Sequence, residues 1–177
     1  KQLSVLLDVG AASHTPESFE RAISAATSIV VSAAHEERPI RFFTSAGFEH
    51  STGTVGLDLL LEHLALLDPV SEATLDVVIG QLNTRVDGGL LIVVGGAISP
   101  GMAAAVRRTP AADAVVLVAC ADPAPAPGPG AFVVDATVDD VFPTAWRLLV
   151  GVSDGSGGVD HRAARPEGRI VLGGATR

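Results

Sequence analysis

Aliphatic runs alternate along this chain with segments in which apolar residues recur every three to four positions. Runs over 3–9, 40–44, 90–94, 114–120 and 132–135 contain few polar residues. Such runs are typical of strands that are buried on both faces of a parallel sheet. The pattern over 45–53 leaves two alternatives open, a hairpin or an irregular loop.

Helices are predicted between these runs. Thr15, Pro16 and Glu17 form a helix start, with an N-cap residue, a proline at the first helical position and an acid near the positive end of the helix dipole. The apolar residues that follow give one buried stripe; they are Phe19, Ala22, Ile23, Ala26, Ile29, Val30 and Ala33. Further helices are predicted over 57–67, after Ser71, after Ser99, and through Trp146 to Val150.

This alternation predicts an α/β fold with a doubly wound, mostly parallel sheet and helices on both faces. We expect one domain over residues 1–150. Residues 151–177 are Gly-rich and polar and are expected to form a tail, with an edge strand over 169–172 as its one ordered element.

Charge and cysteine content narrow the function classes. The net charge of −8 disfavours nucleic acid and anionic membrane surfaces as partners. The single cysteine leaves no internal disulfide and favours a reducing compartment. No apolar run reaches the roughly 18 residues of a membrane-spanning helix. The start at Lys1 suggests part of a longer protein, so we expect a cytoplasmic domain whose membrane anchor, if one exists, lies elsewhere.

The carboxyl ends of the strands are where an open parallel sheet binds ligands. Asp8 ends the first strand and could either hold Mg²⁺ or cap its own turn. Gly95 and Gly96 precede the helix start at Ser99 and could either cradle a phosphate or form a tight turn. A dinucleotide-type glycine motif and a Walker lysine are both absent from the sequence.

Catalysis has little support in the sequence. Cys120 ends an aliphatic run, where a lone cysteine is more often a small core residue than a nucleophile. No two histidines have the i, i+4 spacing of a helical metal site; they are His14, His35, His50, His63 and His161. No G-x-S-x-G nucleophile motif occurs. We therefore do not predict an enzyme.

Several short blocks occur in a fixed order along the chain: Asp8 after the first strand, ESFERAISAA from Glu17, RFFTS from Arg41 and LLEHLA from Leu60. Together they resemble the bacterial family known as domain of unknown function fifty-eight, whose members are similar to von Willebrand factor A domains. The resemblance covers about residues 3–150 and implies a six-stranded Rossmann-like sheet. It also implies a domain of a longer bacterial protein, with a MoxR-type AAA+ ATPase as its partner.

The resemblance further implies a degenerate metal-ion-dependent adhesion site. Asp8 keeps the carboxylate of the family pattern, but Gly10 and Ala12 stand where that pattern has two serines. The later aspartate position falls at Gly95 or Gly96, which supply no ligand. Thr44 is one candidate for the remaining hydroxyl. We expect no cofactor, and at Asp8 a weak Mg²⁺ site that stays unoccupied.

The leading hypothesis is therefore a non-catalytic interaction or adaptor domain of an uncharacterised pathway. Its partner-binding rim is expected at Asp8, Gly10, Ser13, His14, Thr44, Gly95 and Gly96. The alternative is a doubly wound domain that binds a small molecule or nucleotide at the Gly95–Gly96 turn.

Overall fold

Six strands form a mostly parallel sheet in the computed structural model, which describes residues 2–52, 56–73, 75–82, 86–109, 112–126, 128–138 and 168–170. The strands are β1 (Leu3–Leu7), β2 (Ile40–Thr44), β3 (Glu49–Thr52), β4 (Leu90–Gly95), β5 (Ala114–Ala119) and β6 (Phe132–Asp135). Their order is β3-β2-β1-β4-β5-β6, and a short strand β7 (Gly168–Ile170) pairs in parallel with β6. Only β3 runs antiparallel to its neighbour among these described strands.

Helices connect the strands on both faces of the sheet. They are α1 (Pro16–His35), α2 (Leu57–Ala65), α3 (Leu75–Ile79) and α4 (Pro100–Arg107), and a 3₁₀ turn at Ala11–Ser13 precedes α1. The start of α1 is a reciprocal capping box: Ser18 N–H donates to Thr15 Oγ1 at 3.2 Å, and Thr15 N–H donates to Ser18 Oγ at 2.9 Å. This box fixes the first turn of α1 directly beneath the end of β1.

The core lies in two layers because successive side chains of a strand point to opposite faces. On β1, Val5 and Leu7 belong to the layer under α1 and α2, whereas Leu6 belongs to the layer under α3 and α4. All three side chains are fully buried. Burying one such side chain is worth about 1.5–3 kcal/mol, so the central strand contributes strongly to stability.

The predicted fold class is confirmed: the sheet is doubly wound and helices pack on both faces. Of the two alternatives for 45–53, the hairpin is found, since Phe43 pairs with Glu49 across antiparallel strands. The helix predicted through Trp146 to Val150 and most of the tail lie outside the described residues. Strand β7 overlaps the edge strand expected over 169–172.

From β1 the chain passes through α1 to β2, which pairs with one side of β1. After β3 and α2 it passes through α3 to β4, which pairs with the other side of β1, and α3 packs on the face of the sheet opposite α1. The carboxyl ends of β1 and β4 therefore flank the point where the strand order reverses, which is the position where such sheets bind ligands. Within the described residues, none of the helices has the length and apolar character that crossing a membrane requires.

Candidate functional site

Asp8 lies at the carboxyl end of β1 and acts as an internal acceptor. Its Oδ1 accepts hydrogen bonds from Gly10 N–H and Ser45 Oγ–H, each at 2.9 Å. Its Oδ2 accepts a short hydrogen bond from Ser13 Oγ. The residue is only 2% exposed, so the carboxylate accepts its hydrogen bonds from protein donors rather than from solvent. A buried charge is tolerated when it is hydrogen-bonded in this way.

Ser45 extends this network to the neighbouring strand. Its hydroxyl donates to Asp8 while its oxygen accepts from Val9 N–H at 2.9 Å, and Ser45 N–H donates to Leu7 O at 2.9 Å. The ends of β1 and β2 are thereby joined beyond their last ladder pair. Thr44 and Ser45 both follow the second aliphatic run, and the sequence hypothesis included Thr44 in the rim but not Ser45. Thr44 instead accepts from Phe48 N–H at 3.2 Å, within the β2–β3 turn.

His14 is held from three sides beneath the same loop. Its Nε2 lies 2.9 Å from the Asp8 carbonyl oxygen. Because that oxygen can only accept, Nε2 carries the proton. Its Nδ1 lies 3.5 Å from Ser18 Oγ, and its ring meets Phe19 edge-on at 5.3 Å. The side chain is only 1% exposed, so His14 supports the loop from inside.

Gly96 is required by a close backbone approach. A Cβ at this position would overlap the carbonyl oxygen of Ser13, and Ala97 N–H donates to the same oxygen at 2.8 Å. The Gly95 carbonyl in turn accepts from Cys120 N–H at 2.8 Å. Because Gly96 has no side chain, the loop after β1 can lie against the end of β4. The phosphate-binding alternative gains no support from this geometry.

The sequence-predicted rim is brought together by the fold, but most of it lies below the surface. Asp8, Gly10, Thr44, Gly95 and Gly96 are buried, His14 buries its side chain, and Ser13 is half-buried. The exposed surface above them consists of small and polar residues, which we call the outer rim: Ala11, Ala12, Thr15, Ala46, Gly47, Ala97 and Ser99. Direct contacts with a partner would be made by the outer rim, with the predicted residues supporting it.

The residues around Asp8 do not fit a Mg²⁺ ion. Gly10 and Ala12 offer no side-chain oxygen, and the hydroxyls of Ser13 and Ser45 donate to the carboxylate that would have to bind the metal. Elsewhere in the described residues, no group of three or more His, Cys, Asp or Glu side chains could hold a metal ion. Asp8 instead serves as a hydrogen-bond acceptor within the fold.

Cys120 follows β5 and is fully buried. Burial raises the pKa of its thiol to about 12, an effect that the nearby Arg21 only partly offsets. The backbone carbonyl of Cys120 accepts from Arg21 Nε–H at 3.1 Å. Since the thiolate is the nucleophilic form, a thiol with this pKa is poorly suited to covalent catalysis near neutral pH.

A cleft of 560 Å³ opens beside the outer rim, and we call it the α1 cleft. It lies between the first turns of α1 and the loop that follows α2. Its apolar lining consists of Ala11, Pro16, Phe19, Leu67 and Pro69, and its polar lining of His14, Thr15, Glu17, Glu20 and Asp68. The sequence hypothesis missed this cleft because its two walls are distant in sequence.

No family model and no curated protein matches this chain. The resemblance to the von Willebrand factor A-like family consequently stays a prediction. The doubly wound sheet agrees with that resemblance, but a fold hosts many functions and does not identify one. Functional inference therefore has to come from the geometry at the carboxyl end of the sheet.

Proposed function

We propose that this chain is a non-catalytic protein-interaction domain that binds its partner through the outer rim. The main support is the hydrogen bonding of Asp8, whose two carboxylate oxygens are both engaged by donors inside the fold. A catalytic or metal-binding acid at this position would have to face a ligand, whereas Asp8 is only 2% exposed. Here the acid instead connects the loops that carry the outer rim.

The composition of the outer rim supports the same proposal. Ala11, Ala12, Ala46 and Ala97 are exposed at the ends of different strands. Alanine loses no side-chain entropy when it is covered, and its small size lets a partner approach the backbone closely. Because Asp8 and Gly96 fix the loops, binding would require little ordering of the rim, which lowers the cost of association.

The partner in this proposal is a MoxR-type AAA+ ATPase, which the family resemblance implies. We also propose that the domain works in the cytoplasm, as part of a longer protein. The buried free thiol of Cys120 is compatible with a reducing compartment. Under this proposal the domain acts as an adaptor or assembly factor, and the ATPase supplies the chemistry.

Affinity capture from native lysate tests the proposal. The double variant Ala12→Arg/Ala97→Arg places two large cations on exposed rim positions without touching the hydrogen bonds of Asp8. Its control is Ser24→Arg, which adds one such cation at an exposed position of α1 outside the rim. We expect wild type and Ser24→Arg to recover an AAA+ ATPase, and the double variant to lose it while keeping its melting temperature.

Two outcomes would contradict the proposal. Failure of the wild type to recover any ATPase, with or without Mg²⁺, would remove the partner. Equal recovery by the double variant would show that the outer rim is not the binding surface.

A further inference from the structure

The α1 cleft combines an apolar floor with acidic side chains on two walls. Phe19 and Leu67 both line the cleft. They belong to the same core layer, in which Phe19 is buried and Leu67 is partly buried. Pro16 and Pro69 add rigid sides, since a proline ring fixes its own backbone angle φ. The volume of 560 Å³ falls within the range of about 300–1,000 Å³ that is typical of ligand pockets.

The charge on the walls of the cleft has one sign. Glu17 and Glu20 are three residues apart on α1, a spacing that places two side chains on one helix face. Asp68 approaches from the loop after α2, and all three acids are exposed. No Lys or Arg is among the described residues that line the cleft. Arg21, on the same helix, donates to the Cys120 carbonyl and does not line the cleft.

Glu17 is held in its ionised form by local contacts. A hydrogen bond from its own backbone N–H, the Thr15 side chain and, more weakly, Arg21 lower the pKa of the Glu17 carboxyl below its usual value of 4.5. Its position in the first turn of α1 has the same effect, because the helix dipole stabilises negative charge there. Glu17 therefore carries its negative charge throughout the physiological pH range.

We propose that the α1 cleft binds a basic segment of the protein partner, with apolar side chains on the floor and Arg or Lys side chains against Glu17, Glu20 and Asp68. The inference rests on the proposed function and specifies the chemistry of the partner. Charge complementarity selects a cation, and the apolar floor selects a peptide over a simple polyamine. The cleft adjoins the outer rim, so one partner can occupy both surfaces.

A direct binding experiment tests this chemistry without the natural partner. The probe is a fluorescein-labelled 12-residue peptide of alternating Arg and Leu, and anisotropy is measured with the full chain. The test variant is Glu20→Lys/Asp68→Lys. The control variant is Asp58→Lys/Glu62→Lys, which makes the same change in net charge at two exposed positions of α2 outside the cleft.

We expect the peptide to bind wild type and the control variant, and to bind the test variant roughly tenfold more weakly or worse. A peptide with Ser in place of Leu should also bind more weakly, because it cannot cover Phe19 and Leu67. Equal weakening by both double variants would indicate a non-specific charge effect and overturn the proposal. Displacement of the peptide by spermine, at a spermine concentration that supplies the same positive charge as the peptide, would also overturn the proposal.

The failure of this inference can be told apart from the failure of the proposed function. If the test variant still captures the ATPase from lysate while the peptide does not bind, the outer rim is the interface and the cleft is not used. If neither the peptide nor the ATPase binds wild type, both proposals fall.

Discussion

The Ser45 hydroxyl donates to Asp8 Oδ1 at 2.9 Å, across 37 residues of sequence. It joins the ends of two neighbouring parallel strands through side chains, at a position where the backbone ladder has already ended. Asp8 also accepts hydrogen bonds from Gly10 and Ser13, so one carboxylate organises the loop after β1 and connects it to the loop after β2.

The Asp8→Asn variant is expected to lose about 3 kcal/mol of unfolding free energy. The carboxamide keeps the shape of the side chain but replaces one acceptor with a donor, so a buried donor around it is left without a partner. Chemical denaturation of wild type and variant gives the difference. The exposed Asp58→Asn serves as control and should change stability by less than about 0.5 kcal/mol. A similarly small loss in Asp8→Asn would show that the network is not structural.

Gly96→Ala and Gly101→Ala are expected to change stability in opposite directions. A Cβ at Gly96 would overlap the Ser13 carbonyl oxygen, so this variant should lose about 2 kcal/mol. Gly101 is a helical residue of α4 with Ser99 Oγ as its nearest neighbour at 3.9 Å, and Ala there should gain about 0.5–1 kcal/mol. Thermal unfolding of both variants and of wild type measures the two changes in stability. Equal stability of Gly96→Ala and wild type would contradict the close approach.

Below about pH 6.5, the unfolding free energy is expected to decrease as the pH decreases, and His63 is one cause. Desolvation by burial, aided by the nearby His50, lowers the pKa of His63 from its ordinary value of 6.5, and its ring stacks on Phe48 at 3.7 Å. Below 6.5 the unfolded chain binds a proton that the folded chain binds less readily, so the contribution of neutral His63 is present above 6.5 and is lost as pH falls.

Unfolding free energies between pH 5 and 8 test this dependence. His63→Gln should flatten the profile, whereas the exposed His35→Gln should leave its slope unchanged. An unaltered slope in His63→Gln would assign the pH dependence to other groups.

Cys120 is expected to resist thiol reagents in the folded protein. With a pKa of about 12, its thiolate population at pH 8 is about a thousandfold below that of an ordinary cysteine, and the side chain is fully buried. Labelling with an aromatic disulfide should therefore be slow in native buffer and rapid in denaturant. Rapid labelling of the native chain would reopen the possibility of a nucleophilic cysteine.

The sequence predicted the fold where one local signal dominated. The aliphatic runs at β1, β4 and β5 identified central strands, and Thr15 with Pro16 located the start of α1 to the residue. The predicted strand ends were less accurate: β1 stops at Leu7, whereas the run that predicted this strand extends to Val9. The strand ends where the Asp8 side chain accepts a hydrogen bond from Gly10 N–H and the backbone turns. Its end is therefore set by hydrogen bonding and not by apolar character.

The site was harder to predict because its contacts are long-range. Asp8 was identified from its position after a strand, and its capping of the Gly10 turn was one of the two roles considered. Its bond to Ser45 depends on the β1–β2 register, which sequence pattern does not supply. Gly96 was assigned to the rim, and its contact with Ser13 depends on the packing of two loops, which sequence pattern does not supply. The two walls of the α1 cleft come from segments some fifty residues apart, so no local motif marks them.

The strand order has a consequence for how the chain folds. β1 is made first but lies in the middle of the sheet, where Leu3 pairs with Ile40 on one side and with Leu90 on the other. Its second edge has no partner until β4 has been synthesised, and long-range parallel pairing of this kind forms slowly. A fragment ending before Leu90 would therefore expose an apolar, unpaired strand edge. We expect this interval of synthesis to be when the chain is most prone to aggregate and most dependent on chaperones.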